Sequence, residues 1–357
     1  MTRIYLDYNA TAPLRPQAVE AMQKCMLAPL NASSIHEEGR RARSLLETAR
    51  RGIADRIGAF PAEVIFTASG TESNHWVFAA FAGRPFFVSA VEHSSVMKAA
   101  TGATLLPVDA NGVLDMEKLA VLLPQESGFL VSVMLANNET GAIQPIADVA
   151  ALVHARGGLL HCDGAQALGK IPVDMSSLGC DMLTLCAHKM GGPIGAAALV
   201  VSGKLPIAPL MLGGGQELNR RAGTENVAAI AGFAAAVVAS SENELQSLRV
   251  WLDAFEAKAA EHGAVVLSSN VRRLPNTSCI TMPKITSQTQ IMRFDLVGIS
   301  ISAGAACTSG KVAGSATLKA MKVLQEHSAC AIRISGGWGT TPLEIEAFTR
   351  QWLEMAV

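Results

Sequence analysis

Asp181-Met182-Leu183-Thr184-Leu185-Cys186-Ala187-His188-Lys189-Met190-Gly191-Gly192-Pro193 runs a short apolar segment into a cation and then a tight turn. The part up to Cys186 reads as a buried strand. A lysine at the end of such a strand either reaches for water or lies desolvated. In the second case it gives up its proton more easily and becomes a nucleophile for aldehydes. The glycine pair and Pro193 hold the chain in a turn and leave room for a bulky group.

The same pattern extends outward from this segment. Candidate strands are Glu63–Thr67, Phe86–Ser89, Thr104–Val108, Phe129–Leu135, Leu159–Cys162, Met182–Cys186 and Ala196–Val201. They alternate with helical stretches such as Glu72–Phe81, Met116–Leu123 and Ile146–Arg156. That alternation predicts an α/β fold with a mostly parallel sheet covered on both faces. Ligands of such sheets sit beyond the carboxyl ends of the strands. The polar motifs fall there: Ser69-Gly70-Thr71, Glu92-His93, Asn137-Asn138-Glu139, Asp163 and His188-Lys189.

After Thr224 the pattern changes to a long helical region, Asn226 to about His262, with a kink expected near Ser240-Ser241. Strand-like pieces Val265–Leu267, Ser278–Met282 and Ile299–Ser302 follow, then a final helix Pro342–Met355. We expect a large domain over 13–240 and a smaller C-terminal α/β domain over 241–357, with 1–12 packed against the latter.

Half of the 357 residues are hydrophobic, 17% are charged, and the net charge is −1 with no long basic run. This argues against a nucleic-acid groove or an anionic membrane as the main partner. Met1–Asp7 has no apolar signal core, and Val227–Ala239 is too short to span a bilayer, so a soluble cytoplasmic protein is expected. Seven cysteines without CxxC spacing indicate neither a disulfide framework nor a zinc site. Cys25, Cys162, Cys180, Cys186, Cys279 and Cys330 read as small buried hydrophobes.

Cys307 differs. It lies in Ala303-Gly304-Ala305-Ala306-Cys307-Thr308-Ser309-Gly310, which is loop composition and suits an accessible nucleophile. Thr67-Ala68-Ser69-Gly70-Thr71-Glu72-Ser73 offers backbone donors and a hydroxyl at a helix start, either for a phosphate or as an ordinary turn capped by Thr71. Asp163 ends an apolar strand, where it could keep a pyridine nitrogen protonated or simply cap the next turn. His93 could stack on a ring, pass a proton or be structural. Arg333, in the apolar Ala331-Ile332-Arg333-Ile334-Ser335, needs an anion, either a ligand carboxylate or an internal Asp or Glu.

Together these segments resemble the cysteine desulfurases, the NifS/IscS-like branch of the class V aminotransferase family among fold-type I pyridoxal phosphate enzymes. The resemblance covers nearly the whole chain in order. It runs through Tyr5-Leu6-Asp7-Tyr8-Asn9-Ala10-Thr11-Ala12-Pro13, Asn31-Ala32-Ser33-Ser34-Ile35-His36 and Ser69-Gly70-Thr71-Glu72-Ser73-Asn74. It continues through Asn137-Asn138-Glu139-Thr140-Gly141, Asp163-Gly164-Ala165-Gln166 and His188-Lys189. Gly213-Gly214-Gly215-Gln216-Glu217, Arg221-Ala222-Gly223-Thr224-Glu225-Asn226 and Ala306-Cys307-Thr308-Ser309-Gly310 complete it.

The resemblance implies pyridoxal 5'-phosphate as cofactor and L-cysteine as substrate. The products are L-alanine and a persulfide on Cys307 for an acceptor protein such as an iron–sulfur scaffold. Lys189 would carry the cofactor and move the Cα proton, Asp163 would pair with the pyridine N–H, and Gln166 with the phenolic oxygen. His93 would stack on the ring and assist proton transfer. Gly70, Thr71 and His188 would hold the phosphate, with Thr224 reaching over from the second subunit of a homodimer. Asn138 and Arg333 would bind the substrate carboxylate, and Gly304 and Gly310 would let the Cys307 loop swing.

Some positions depart from the family pattern. Cys186 stands where a phosphate-binding serine is usual, Gly70 replaces an alanine, and Ala303 and Ala305 replace serines. The chain ends soon after Trp352, before the tail with which better-known members dock a scaffold. A selenocysteine lyase or another pyridoxal phosphate lyase remains an alternative. So does a weakly active sulfur-carrier or interaction protein.

Overall fold

The computed structural model describes residues 3–203, 205–282, 284–303 and 314–356. Cys307 and its flanking Gly304, Ala305 and Gly310 lie outside the described residues. Seven strands form the main sheet: β2 (Val64–Thr67), β3 (Phe86–Ser89), β4 (Thr104–Leu106), β5 (Leu130–Met134), β6 (Leu159–Asp163), β7 (Met182–Cys186) and β8 (Ala197–Val201). Their order is β2-β8-β7-β6-β5-β3-β4. All neighbours are parallel except β8, which runs against both β2 and β7. The expected α/β architecture is present, with β8 as the antiparallel exception.

Every residue of β2, β5, β7 and β8 is buried, because helices cover both faces of the sheet. Alternate side chains divide between the faces. Phe66, Val131 and Leu183 pack with Ile53 and Phe233 on one side. Ile65, Leu130 and Met182 pack with Trp76 and Val88 on the other. A separate cluster gathers Leu6, Leu252, Phe255, Ile332, Ile334, Phe348 and Trp352. The ring of Phe255 meets Phe348 and Trp352 edge-on, at 5.0 and 5.7 Å between centroids. Four short strands accompany it. β1 (Ile4–Tyr5) pairs in parallel with β10 (Ile299–Ser300), and β9 (Thr277–Thr281) pairs antiparallel with β11 (Ala331–Ser335).

Several local expectations need correction. The kink near Ser240-Ser241 is a full break between the helices Val227–Ala239 and Gln246–Glu261. Ser240 is extended (φ −82, ψ 141), and its hydroxyl donates back to the Val237 carbonyl at 2.8 Å. Val265–Leu267 makes only an isolated bridge, Val266 to Ile280, since Ser268 turns the chain into the left-handed region (φ 58). The helix Gly70–Ala80 is capped by Ser69, not Thr71: extended Ser69 accepts from Glu72 N at 3.1 Å. Cys330 is half-buried, whereas the other five described cysteines are buried. No helix among the described residues is long and apolar enough to cross a membrane.

Glu217, Leu218 and Asn219 adopt three successive left-handed conformations (φ 48, 57 and 63). L-residues disfavour this region, so other contacts must hold the turn. Glu217 Oε1 and Oε2 each accept from Arg50 at 2.8 Å, and Oε2 also accepts from Phe66 N at 2.8 Å. The Arg50 guanidinium lies 4.7 Å from the centre of the Phe66 ring. Both partners are buried, and without Glu217 the Arg50 guanidinium keeps only the half-exposed Glu47, 3.2 Å from its Nε, as a carboxylate partner. Glu217→Ala is therefore expected to lower the unfolding free energy by about 3–5 kcal/mol in a urea titration.

Candidate active site

The side chains at the carboxyl ends of β6 and β7 form one electrostatic neighbourhood, in which Asp163, His93 and Lys189 act on one another. Lys189 enters it from the 3₁₀ turn Ala187–Lys189 that follows β7. Gly191 closes that turn with φ +93, and a Cβ there would meet Arg15 Cγ at 2.7 Å. Lys189 Nζ donates to the carbonyls of Asn9 and Ala10 at 2.7 and 2.9 Å. Burial lowers its pKa, with Arg333 acting in the same direction, against the opposing influence of Cys186, Asp7 and Asp163. The amine is thus biased toward its uncharged, nucleophilic form.

Asp163 closes β6 and is 5% exposed. One carboxylate oxygen accepts from Ala165 N at 3.0 Å, which caps the following turn. The other accepts from Asn74 Nδ2 at 2.8 Å. The capping reading holds for one oxygen, and the other is bound to Asn74. Glu92 is buried close by, with Oε1 accepting from Met134 N at 2.6 Å. Burial and then the Asp163 charge push its pKa well above the usual carboxylate range. Glu92 is thereby biased toward its protonated form.

His93 precedes the helix Ser94–Ala99, and its Nδ1 accepts from Ser95 N at 3.2 Å and lies 2.8 Å from Ser95 Oγ. Burial lowers its pKa; Asp163 opposes this and Lys189 reinforces it. Gln166 Nε2 donates to the Asn9 carbonyl at 2.9 Å, while its Oε1 accepts from Lys170 Nζ at 2.6 Å. Lys170 is fully buried with neutral oxygens as its acceptors, and burial and then Lys189 drive its pKa well down.

Arg333 projects from β11. It donates from Nη2 to Asp7 at 2.5 Å and from Nη1 to the Asn138 carbonyl at 2.9 Å. Its Nε is buried without a partner. The internal anion weighed for Arg333 is thus present in Asp7, yet one donor remains unpaired.

The amino terminus of the helix Gly70–Ala80 faces Cys186, and a Cβ on Gly70 would lie 3.7 Å from Cys186 Sγ and 3.6 Å from Thr184 Cγ2. These are ordinary contacts, so glycine in place of alanine is not a steric requirement here. Burial raises the Cys186 pKa, against the Gly70 backbone N–H, so the thiol stays neutral and is a weak donor. His188 Nδ1 lies 3.2 Å from Thr11 Oγ1. Burial, then Lys189 and Lys170, push the His188 pKa down to about 4. Thr71 is exposed on the first turn of the helix Gly70–Ala80. Thr224 is exposed before the helix Val227–Ala239 and takes part in none of the contacts above.

Pyridoxal 5'-phosphate fits this donor set. An amine biased toward its uncharged form, the Asp163 carboxylate, the His93 imidazole and a helix amino terminus lie close together. Lys189 would hold its aldehyde, Asp163 its pyridine nitrogen, Gln166 its phenolic oxygen, and Gly70, Thr71 and His188 its phosphate.

In the sequence Asn9 and Asn74 stand out only as parts of motifs, and Lys170 and Ser95 belong to none. Lys170 had a visible signal, being a lysine between Leu168 and Ile171 four residues after Gln166. Asn9 had none, because its partners come from distant parts of the chain.

Residues 4–348 match the model of the aminotransferase class-V family. The cysteine desulfurase of Cereibacter sphaeroides is 38% identical, over 97% of this chain and 94% of that protein. Cysteine desulfurase NifS of Azotobacter vinelandii is 35% identical, over 98% of this chain and 92% of that one. The X-ray structure of a NifS-like protein from Rickettsia africae superposes with a TM-score of 0.91 at 36% identity, covering 99% of both chains.

The depressed His188 pKa sets a pH dependence. An unfolded histidine takes up its proton near pH 6.5, the folded one only near pH 4. The contribution of neutral His188 is therefore complete above the first value and is lost as pH falls toward the second. Urea titrations across this window should show wild type losing stability relative to His188→Gln as the pH drops.

Proposed function

Because the chain belongs to the aminotransferase class-V family and, within it, to the cysteine desulfurases, we propose that it converts L-cysteine to L-alanine and passes the sulfur on through Cys307. The observation that carries this reading is the convergence of Lys189 and Asp163. Asp163 ends β6 and Lys189, biased toward its uncharged form, follows the adjacent β7, with His93 close enough to feel both charges. Pyridoxal 5'-phosphate, when bound, supplies an electron sink for charge developed at the substrate Cα.

The chain's own residues do the rest. Arg333, with its unpaired Nε, and Asn138 receive the substrate carboxylate. Lys189 takes the Cα proton. Asp163 offers a carboxylate to the pyridine nitrogen it would hold. The Cys307 thiolate attacks the substrate sulfur: a sulfur–sulfur bond forms as the carbon–sulfur bond breaks. The bonding pair stays with the substrate carbon, which takes a proton. L-alanine leaves, and Cys307 keeps the extra sulfur as a persulfide for an acceptor protein, an iron–sulfur scaffold among them.

A homodimer suits the exposed position of Thr224, which would complete the phosphate site of the neighbouring protomer. The separate hydrophobic clusters support a division into a large domain, 13–240, and a smaller one, 241–357 with 1–12.

Incubation of the pyridoxal phosphate-loaded protein with L-cysteine tests the reading. Wild type should release alanine and carry a persulfide on Cys307, mapped by mass spectrometry. Cys307→Ser should bind cysteine, seen as a change in the visible spectrum, yet release almost no alanine; undiminished release would refute the assigned attack. Arg333→Ala should raise KM for cysteine about tenfold or more, the cost of one charged hydrogen bond.

A further inference from the structure

Asn74 and Ser95 connect two residues of the site that stand on different elements. Asn74 is 1% exposed and lies on the helix Gly70–Ala80. Its Nδ2 donates to Asp163 Oδ2 at 2.8 Å and to Ser95 Oγ at 2.9 Å, using both amide hydrogens. The opposite amide orientation would set an oxygen against the Asp163 carboxylate. Asn74 Oδ1 is in fact buried without a partner, so the carboxylate's demand for a donor decides how the amide points.

Ser95 Oγ, having accepted from Asn74, keeps its own hydrogen for His93 Nδ1, 2.8 Å away. The Ser95 backbone N–H also points at Nδ1, at 3.2 Å. Two donors thus converge on that nitrogen, and it has no room for a proton. The ring proton belongs on Nε2.

We propose that Asn74 and Ser95 are positioning residues that tie Asp163 to His93 and hold the imidazole as its neutral, Nε2-protonated tautomer. This rests on the desulfurase reading for its purpose and deepens it. Charging the ring would place a second proton on Nδ1, against both donors. His93 therefore meets the substrate as a hydrogen-bond donor through Nε2, and proton abstraction from Cα falls to Lys189. Partial desolvation of the ring acts in the same direction. The charged groups that act on His93 are Asp163 at the end of β6, which favours a charged ring, and Lys189 after β7, which disfavours it. Ser95→Ala leaves both in place, whereas Asn74→Ala also removes a donor from Asp163, so the Ser95 variants carry the cleaner comparison.

The test is two-bond proton–nitrogen spectroscopy of the pyridoxal phosphate-loaded protein labelled with ¹⁵N-histidine. His93→Gln serves only to assign the resonance. In wild type, and in Ser95→Thr, His93 should show a pyrrole-type Nε2 and a pyridine-type Nδ1 at neutral pH. In Ser95→Ala and Asn74→Ala its titration midpoint should move upward. Alanine formation should slow about tenfold, with KM for cysteine nearly unchanged, as expected when a hydrogen-bond donor that acts in the transition state is loosened. A proton on Nδ1 in wild type would overturn the proposal. So would an unchanged His93 titration in the folded variants. If Asn74→Ala does not fold, the wild-type tautomer and the Ser95 pair decide. The tautomer is read without turnover, so a protein that releases no alanine would sink the desulfurase assignment and leave this measurement standing.

Discussion

Asn9 is the point at which the molecule is tied together. It is 1% exposed, and every polar atom it has is engaged. Its carbonyl accepts from Lys189 Nζ and Gln166 Nε2 at 2.7 and 2.9 Å. Its Oδ1 accepts from Lys170 Nζ and Asn276 Nδ2 at 2.8 and 3.1 Å. Its Nδ2 donates to the Asn138 carbonyl and to Thr277 Oγ1, and its N to Ser335 Oγ. One residue near the chain start therefore spans the ends of the parallel strands and the β9–β11 pair. In a buried setting, losing any of these contacts leaves a polar group without a partner, so the geometry is held as a unit.

That arrangement also controls charge. Lys170 and Lys189 both reach toward Asn9, and both have neutral oxygens as acceptors, which leaves two amines competing for too little negative potential. Burial lowers the proton affinity of each, and Lys189 adds to the effect on Lys170. On the opposite side, burial and the Asp163 charge bias Glu92 toward its protonated form. The site is thereby polarised, with amines biased toward their uncharged form at one end and a carboxylate at the other. Such a field is set by the fold before any ligand arrives.

Much of this was legible from the residues. The strand ends were readable because a sheet covered on both faces demands continuous apolar runs, and the polar residues that terminate them stand out: Asp163 after Leu159–Cys162, His188-Lys189 after Met182–Cys186. The antiparallel insertion of β8 was not legible, because a fully buried strand carries no mark of its direction. Ser69 and Thr71 are both competent caps, and only the extended backbone of Ser69 (φ −164, ψ 159) chooses between them. The Asn74–Ser95 connection was hidden for another reason. Each is a small polar residue inside or at the start of a helix, and nothing local signals that the two helices bring them together.

The left-handed turn at Glu217–Asn219 has a consequence for how the chain can change. Three unfavourable conformations in a row are tolerated only because Arg50 and Phe66 N grip the Glu217 carboxylate, and that grip fixes the count of residues as well as their shape. Leu218, 64% exposed, is free to vary in chemistry within the turn. An insertion or deletion beside it would slide the carboxylate out of reach of its anchor. This segment is therefore open to drift in side chains but closed to drift in length, which makes it a place to alter a surface and a poor place to splice one.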